Sequence, residues 1–333
     1  MCSPEAFDDL EKSDALDYRL PSALQMCERL LLRQIERDCT RSEGSSYALV
    51  DEINATIDLA IQTLQAPSQD EMSIRRDYTQ ALVTAAVARV RPDYILAHLL
   101  HDTWGGGKPA EDPDRQYFLT LALAGAALLG RIADMESFIQ QGANVSSERD
   151  FGWICYPIHA AAIGGHVQAL ELLIKHGADV RVEGTPWYNK ALHFAAIYGC
   201  EGAIQFLIDK DDEINCINGP HETPLWCAAT FGQAGVVAKI LESDRSHRIH
   251  ISPVDSANGC SESDSNMGNG DDGRELLDPN SKDCLGQTPL QKAVERGHST
   301  IVEMLHASSC GCELHAYERV RDEPLGTCSC SWE

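Results

Sequence analysis

The C-terminal end of the 333-residue chain carries residue types that often bind metal. Cys310 and Cys312 form one closely spaced pair, Cys328 and Cys330 form a second, and His315 lies between the pairs. Four cysteine thiolates in a tetrahedral arrangement are common ligands of a structural zinc ion. In such sites two or more residues usually separate the cysteines of a pair, whereas one residue separates them here. We therefore expect free thiols and no bound metal in this tail.

A glycine-rich stretch, Trp104–Pro109, shares part of its sequence with a phosphate-binding loop. Such a loop follows a strand, continues its Gly-Lys with Ser or Thr, and opens a helix whose first amides hold phosphate. Here Pro109 follows Lys108, and helical patterning precedes the stretch. No Ser/His/Asp or Cys/His pairing has a recognisable local signature either. We expect no cofactor and no enzymatic activity; the alternative is an unrecognised catalytic domain in residues 1–116.

The charge balance restricts the classes of partner. The chain has 27 Lys and Arg against 51 Asp and Glu, a formal net charge of −24. This disfavours direct binding to nucleic acid or to an anionic membrane surface and would attract a basic protein surface. No apolar run reaches the roughly 18 residues of a spanning helix, and the N-terminus does not resemble a signal peptide. Thirteen scattered cysteines favour a reducing compartment. We expect a monomer in the cytoplasm or nucleus.

The elements that must position any functional residue come as an internal repeat. The unit Ala161–His166, an alanine pair closed by glycine, recurs 34 residues later at 195–200 and a further 33 later at 228–232. It also occurs 35 residues earlier at 126–130, and a last copy starts near Thr288. Apolar residues three and four apart follow each unit, which predicts a pair of short amphipathic helices. Because neither helix can bury its apolar face alone, we expect stacked copies, an all-α solenoid with hairpin-like turns.

The opening of the first helix in each copy supports one family. It reads Thr-Pro-Leu-Trp at Thr223–Trp226 and Thr-Pro-Leu-Gln at Thr288–Gln291, with weaker versions ending at His159 and His193. These segments resemble the Thr-Pro-Leu-His signature of the ankyrin repeat, and residues 117–308 resemble an array of about five copies. The resemblance implies that both histidines bond backbone in a neighbouring turn. Layers about 10 Å apart would also keep them from sharing a metal ion, whose bonds are near 2 Å.

The remaining segments divide the chain further. Residues 243–278 are rich in Ser, Asp, Asn and Gly, so we expect a disordered acidic loop inserted between two repeats. Helical patterning at Ala23–Arg37, Ala48–Leu64 and Ile74–His101 predicts a helical N-terminal region. We expect residues 1–77 to be separate from residues 78–116, which are a degenerate repeat acting as a cap or part of an unrelated helical domain. Residues 309–333 form the Cys-rich tail.

The resemblance also implies where a partner would bind, because ankyrin repeats use turn tips and exposed positions of the first helices. Carried over by register, the partner-binding positions are Trp153, Ile163, Trp187, Tyr188, Ile197, Tyr198, His221, Thr230, Phe231, Leu285, Glu295 and Arg296. Several are aromatic and would line one concave strip, which is typical of interface anchors. The alternative is that each aromatic ring packs on its neighbour's turn.

The function expected from these features is protein binding by an adaptor or regulatory scaffold. One form is a nuclear transcription coregulator that acts through protein contacts rather than DNA; a purely structural link is a further alternative. Ser252 precedes a proline and Ser261 precedes an acidic residue at +3, so both are candidate phosphorylation sites in the inserted loop.

Overall fold

The architecture was derived from a computed structural model, which describes residues 48–65, 67, 70–89, 115–146, 155–184, 187–211, 213–250 and 276–309. The described residues form twelve α-helices and one isolated β-bridge. In chain order these are α1 Ala48–Leu64, α2 Glu71–Arg89, α3 Arg115–Leu129, α4 Ile132–Gln140, α5 Pro157–Gly164, α6 Val167–Lys175, α7 Ala191–Tyr198, α8 Glu201–Asp211, α9 Pro224–Thr230, α10 Ala234–His250, α11 Pro289–Glu295 and α12 Ser299–Ser309.

The helices from α3 onward stack in two parallel rows. Helices α3, α5, α7, α9 and α11 form the inner row, in which each helix packs on the next. Helices α4, α6, α8, α10 and α12 form the outer row, and each packs on its own inner helix and on the next outer helix. The buried apolar side chains form one continuous cluster from Ile53 to Leu305. The expected all-α ankyrin-type solenoid is therefore confirmed.

Small residues allow the inner helices to approach each other closely. Ala161, Ala195 and Ala228 occupy the same position in successive copies and are fully buried. At Gly164 the approach is closer still, since a Cβ atom there would lie 2.4 Å from the carbonyl oxygen of Leu128 in the preceding layer. Only glycine fits at that point, so the spacing of the layers is fixed by residues that have little or no side chain.

Threonine caps define where two inner helices begin. The Thr223 hydroxyl accepts a hydrogen bond from the Trp226 amide at 3.2 Å, and Thr288 accepts one from Gln291 at the same distance. The Gln291 side chain also accepts from the Thr288 amide at 2.9 Å, which completes a capping box. The proline after each threonine loses nothing there, because the first amides of a helix have no partner within the helix.

A ladder of hydrogen bonds joins consecutive layers at the far ends of the inner helices. The residue after each closing glycine reaches back to a carbonyl of the preceding inner helix. The Cys200 thiol lies 3.2 Å from Ile163 O, the Gln233 amide donates to Ile197 O at 2.9 Å, and His298 Nε2 lies 3.2 Å from Thr230 O. Burial raises the pKa of Cys200 to about 11, so its thiol stays protonated and can donate. Three different side chains therefore fill one structural role.

At the opposite ends of the inner helices lie tight turns that we call fingers. Finger A covers residues 184–189, of which 185 and 186 lie outside the described residues; finger B covers 218–222 and finger C covers 283–287. Each finger is closed by a backbone bond between its first amide and its last carbonyl, at 2.8, 3.2 and 3.1 Å respectively. Consecutive fingers are also bonded, because Gly219 N donates to Trp187 O at 2.8 Å and Cys284 N donates to Pro220 O at 2.9 Å. The fingers therefore form one continuous ribbon.

Buried side chains of the inner helices hold the fingers in place. His193 Nε2 lies 3.0 Å from Glu222 O in finger B, and His159 Nε2 lies 3.0 Å from Val182 O, two residues before finger A begins. This confirms the structural role that the ankyrin resemblance implied for both histidines. His193 Nδ1 accepts from the Lys190 amide at 3.2 Å, so the ring proton lies on Nε2 and is donated to Glu222. Burial lowers the pKa of His193 to about 4, and the ring is therefore neutral at pH 7.

Helices α1 and α2 pack against each other and cover the N-terminal side of α3. The Tyr78 hydroxyl donates to Asp134 at 2.9 Å, and the Arg131 guanidinium pairs with Asp77 and lies over the Tyr78 ring.

The predicted boundary between residues 77 and 78 is wrong, because both residues lie within α2, which pairs with α1. Helix α1 has the predicted bounds Ala48–Leu64. The predicted helix Ala23–Arg37 and residues 90–114 lie outside the described residues.

The expected start of the inserted loop is also corrected. Helix α10 continues through Ser243 to His250, since Ser243 is buried against the array rather than exposed in a loop. The chain returns before 278, where Leu277 is buried and its amide donates to Asp244 Oδ1 at 2.9 Å. The Asn215 side chain fixes this return, because it donates to Leu276 O at 2.6 Å and accepts from Asp278 N at 2.9 Å. Residues 251–275 and 310–333 lie outside the described residues.

Among the described helices, none has the length and apolar character to cross a membrane.

The ladder predicts the effect of removing one side chain. In Gln233→Ala the Ile197 carbonyl loses its donor, which should lower the free energy of unfolding by about 1 kcal/mol and the melting temperature by about 2–4 °C. Thermal unfolding followed by circular dichroism measures this shift. Gln205→Ala is the matched control, since Gln205 bonds Asp209 on the exposed side of α8. Equal melting temperatures for the two variants would contradict a cohesive role for the ladder.

The neutral state of His193 predicts a pH dependence of stability. Its pKa is about 4 in the folded chain, against an ordinary histidine value of 6.5, so the unfolded chain binds the proton more readily. Stability should therefore be fully present above pH 6.5 and fall as the pH drops towards 4, by up to about 3 kcal/mol. Urea unfolding between pH 7 and pH 4 should show this slope in the wild type and a smaller slope in His193→Gln. His176→Gln, an exposed histidine, should keep the wild-type slope; parallel curves for wild type and His193→Gln would refute the assignment.

Candidate protein-interaction surface

The finger tips contain two unusual backbone conformations. Tyr188 has a φ angle of 58° and His221 has a φ angle of 65°, whereas the equivalent position of finger C is Gly286 with a φ angle of 78°. In this left-handed region a side chain meets backbone atoms, so glycine is the favoured residue. Fingers A and B thus carry a strained tyrosine and a strained histidine at a position that finger C fills without strain. Such a residue costs on the order of 1–2 kcal/mol and points to a functional reason for keeping it.

The strained side chains lie at the surface. Tyr188 is 50% exposed, and His221 is also exposed. The Tyr188 ring lies against the next finger, where a Cβ at Gly219 would lie 3.1 Å from Tyr188 Cδ2. The absence of a side chain at Gly219 therefore leaves space for the ring. Trp187 is partly buried, as the packing alternative anticipated, but Tyr188 offers half of its surface to solvent.

The inner-helix positions predicted for binding divide into two groups. Ile163 and Thr230 are buried, so the prediction that they are exposed is wrong. The close approach of the alanine-rich helices covers these side chains, and the ladder residues of the next layer take their carbonyls. The remaining positions reach the surface: Ile197, Tyr198, Phe231 and Arg296 are partly buried and Glu295 is exposed. Trp153, Ser252 and Ser261 lie outside the described residues.

One buried residue was missed in the sequence. Trp226 occupies the signature position at which His193 lies one layer earlier, and its Nε1 donates to Gln287 O in finger C at 3.2 Å. Gln287 is equivalent to Glu222, so the tryptophan replaces histidine as the donor that holds the next finger. Lys292 Nζ lies 5.8 Å from the centre of the Trp226 ring. The sequence did contain a signal for this role. Trp226 occupies the histidine position of the signature, and its indole ring carries an N–H group that can donate a hydrogen bond as histidine does.

A group of three charged side chains beside finger A is paired. Lys190 Nζ lies 2.6 Å from Glu213 Oε2, and Arg181 lies 3.5 Å from the other oxygen of the same carboxylate. The hydrogen bond from Lys190 lowers the pKa of Glu213 below its usual value. No three His, Cys, Asp or Glu side chains come together as a metal site in the part of the chain that the structure describes. The bonded fingers thus present an aromatic and a polar side chain, Tyr188 and His221, at the surface.

Comparison with known proteins agrees with this architecture. Residues 123–218 match the family described as ankyrin repeats (3 copies). A zebrafish (Danio rerio) protein named ankyrin repeat and SOCS box protein 11 is 33% identical over 97 residues, which cover 28% of this chain and 32% of the relative. A human protein named SH3 and multiple ankyrin repeat domains protein 2 is 30% identical over 145 residues, which cover 44% of this chain and 7% of the relative.

A third relative is matched along almost its whole length. A putative ankyrin repeat protein of fowlpox virus is 28% identical over 142 residues, which cover 41% of this chain and 97% of the relative. The chain thus spans a third or less of the zebrafish and human relatives. Ankyrin repeats are in general modules for protein–protein interaction, and the names of these relatives describe no enzymatic activity. The stacked helix pairs and the bonded fingers agree with these matches, and together they support ankyrin repeats in the matched residues 123–218.

Proposed function

We propose that the chain is an adaptor or regulatory scaffold that holds another protein against its finger tips and the adjoining inner-helix ends. One observation carries the proposal. Tyr188 and His221 have side chains at left-handed backbone positions, whereas the equivalent position of finger C is a glycine, Gly286. Glycine would relieve the strain in the isolated protein. The retained tyrosine and histidine therefore favour a role in contacts outside the chain.

The proposed surface uses residues at both ends of the inner helices. Tyr188 and His221 lie on consecutive bonded fingers, and Tyr198 and Phe231 lie at the far ends of the inner helices that follow those fingers. A tyrosine half exposed on rigid backbone offers large contact area at a small cost in side-chain entropy, which is why tyrosine is enriched among interface anchors. Ile197, Glu295 and Arg296 extend the same surface towards the end of the array.

The acidic character of the chain supports a partner with a basic surface. A net charge of −24 would accelerate the approach of such a partner, and raising the salt concentration would slow it. An adaptor in the cytoplasm and a transcription coregulator in the nucleus would use the same surface, and neither requires direct contact with DNA. Phosphate on Ser252 or Ser261 would add negative charge and strengthen attraction to a basic partner.

Replacement of Tyr188 by glycine tests the proposal. Tyr188→Gly removes the aromatic anchor and relieves the left-handed strain, so the free energy of unfolding should stay within about 1 kcal/mol of the wild type. The affinity for the partner should fall at least about tenfold, since buried tyrosine anchors commonly contribute more than 1 kcal/mol to binding. Quantitative affinity purification from native-host extract, followed by mass spectrometry, identifies proteins retained by the wild type and lost by the variant. Titration with the purified partner then measures the affinity.

Met72→Ala is the matched control for that experiment. Met72 is an exposed apolar residue on α2, away from the fingers. It should retain every protein that the wild type retains. A set of bound proteins that is the same for wild type and Tyr188→Gly, with both folded, would show that the finger tips do not form the binding surface.

A further inference from the structure

Exposed apolar side chains are concentrated at the fingers. In the part of the chain that the structure describes, five large apolar residues are exposed, and three of them, Tyr188, Ile217 and Leu285, lie on a finger or directly beside one. Ile217 is 48% exposed and is not among the positions that the sequence predicted for binding. The Tyr188 ring lies against Gly219, so Ile217 Cα, two residues earlier in the chain, is within about 12 Å of that ring. The two side chains are therefore close enough to contact one segment of a partner.

Ile217 belongs to a row of residues that each directly precede the first residue of a finger. The equivalent residues are Glu183 before finger A and Lys282 before finger C, and both are exposed. The register of this row is fixed, because all three fingers are closed by the same backbone bond and consecutive fingers are bonded to each other. We call Glu183, Ile217 and Lys282 the edge row. From finger A to finger C, the edge row is acidic, apolar and basic.

The two charges of the edge row are available to a partner. Neither Glu183 nor Lys282 forms an ion pair with another residue that the structure describes. The neighbouring charges are already used, since Arg181 pairs with Glu213 and the buried Asp283 accepts backbone amides within finger C. Glu183 and Lys282 lie two layers apart, about 20 Å, so ions at physiological salt screen them from each other within roughly 8 Å.

The spacing of the edge row favours a helix over an extended strand as the partner segment. Layers about 10 Å apart place one residue of the row every 10 Å or so. On a helix, side chains seven residues apart face nearly the same direction and are separated by about 10.5 Å. On a strand, side chains of one face are separated by about 7 Å or about 13 Å, because alternate residues point to opposite faces. A helix can therefore meet all three positions of the row with one face.

We propose that the edge row binds a helix of the partner protein that carries an acidic, an apolar and a basic side chain at seven-residue intervals on one face. The acidic group pairs with Lys282, the apolar group packs on Ile217, and the basic group pairs with Glu183. An acidic residue near the N-terminus and a basic residue near the C-terminus also stabilise the helix itself, so the bound helix runs from finger C to finger A. This inference rests on the function proposed above and specifies the chemistry of the partner.

Three labelled synthetic peptides test the proposal by fluorescence anisotropy with the full-length chain. The first is helical and carries glutamate, isoleucine and lysine at seven-residue intervals. The second has glutamate in place of that lysine, and the third is the first peptide with a central proline that interrupts the helix. The wild type should bind the first peptide at least about threefold more tightly than the second, because the second places a carboxylate opposite Glu183. It should bind the third at least about threefold more weakly than the first.

Charge reversal in the chain tests the assignment of Glu183. In Glu183→Lys the order should reverse, so that the second peptide binds more tightly than the first. Glu171→Lys is the matched control, because Glu171 is exposed on outer helix α6 and its substitution changes the net charge by the same amount. This control should keep the wild-type order. Ile217→Ser should weaken binding of both helical peptides at least about fivefold, with a melting temperature within about 2 °C of the wild type.

The opposite results would overturn the proposal. These are an unchanged order in Glu183→Lys, a reversed order in Glu171→Lys, or no binding of the first peptide to the wild type at about 1 mM. Equal binding of the first and third peptides would overturn it in favour of an extended partner segment. None of these measurements uses the natural partner, so their failure leaves the loss of that partner in Tyr188→Gly as a separate test of the proposed function.

Discussion

The close approach of neighbouring inner helices is the constraint on which the rest of the structure depends. It exists because alanine pairs and Gly164 leave the backbones almost in contact. At that spacing a side chain of ordinary length spans two layers. Cys200, Gln233 and His298 therefore reach the preceding layer at one end of the helices. At the other end, His193 and Trp226 reach the next finger, and His159 reaches Val182 just before finger A. Larger residues at the alanine positions would separate the layers and break both sets of bonds.

The arrangement of the finger tips follows from the same constraint. Consecutive fingers are bonded to each other, and His193 and Trp226 also hold fingers B and C from beneath, so the tips have fixed positions relative to one another. A strained residue such as Tyr188 can persist only on backbone that is held from several sides. Two backbone hydrogen bonds supply that support. Gly219 N donates to Trp187 O, next to Tyr188, and Gly184 N donates to Asn189 O. Closely packed layers thus support unusual backbone conformations at the finger tips.

Much of the fold could be predicted from the sequence, because repeated alanine pairs, closing glycines and threonine–proline openings each have a local physical meaning. The layered helices and the structural role of His193 are local consequences of that pattern. The exposure of individual residues was harder to predict. Ile163 and Thr230 have the register of surface residues, but their burial depends on how closely the next layer approaches. The extension of α10 beyond Ser243 likewise depends on contacts with the array, and the polar composition of the segment conceals it. The left-handed φ angle of Tyr188 becomes apparent only when its finger is compared with Gly286.

The side chain of Asn215 has a consequence for how this protein can change over time. By holding Leu276 and Asp278, it fixes the point at which the chain rejoins the stack, and Asp244 fixes the same point from the departing helix. What lies between is therefore joined to the stack at two anchored ends. Doubling the length of a flexible loop between two fixed ends costs only about 0.6 kcal/mol in loop-closure entropy. New sequence can accumulate at this one junction, including sequence with activities of its own, while the layers on either side keep their registration.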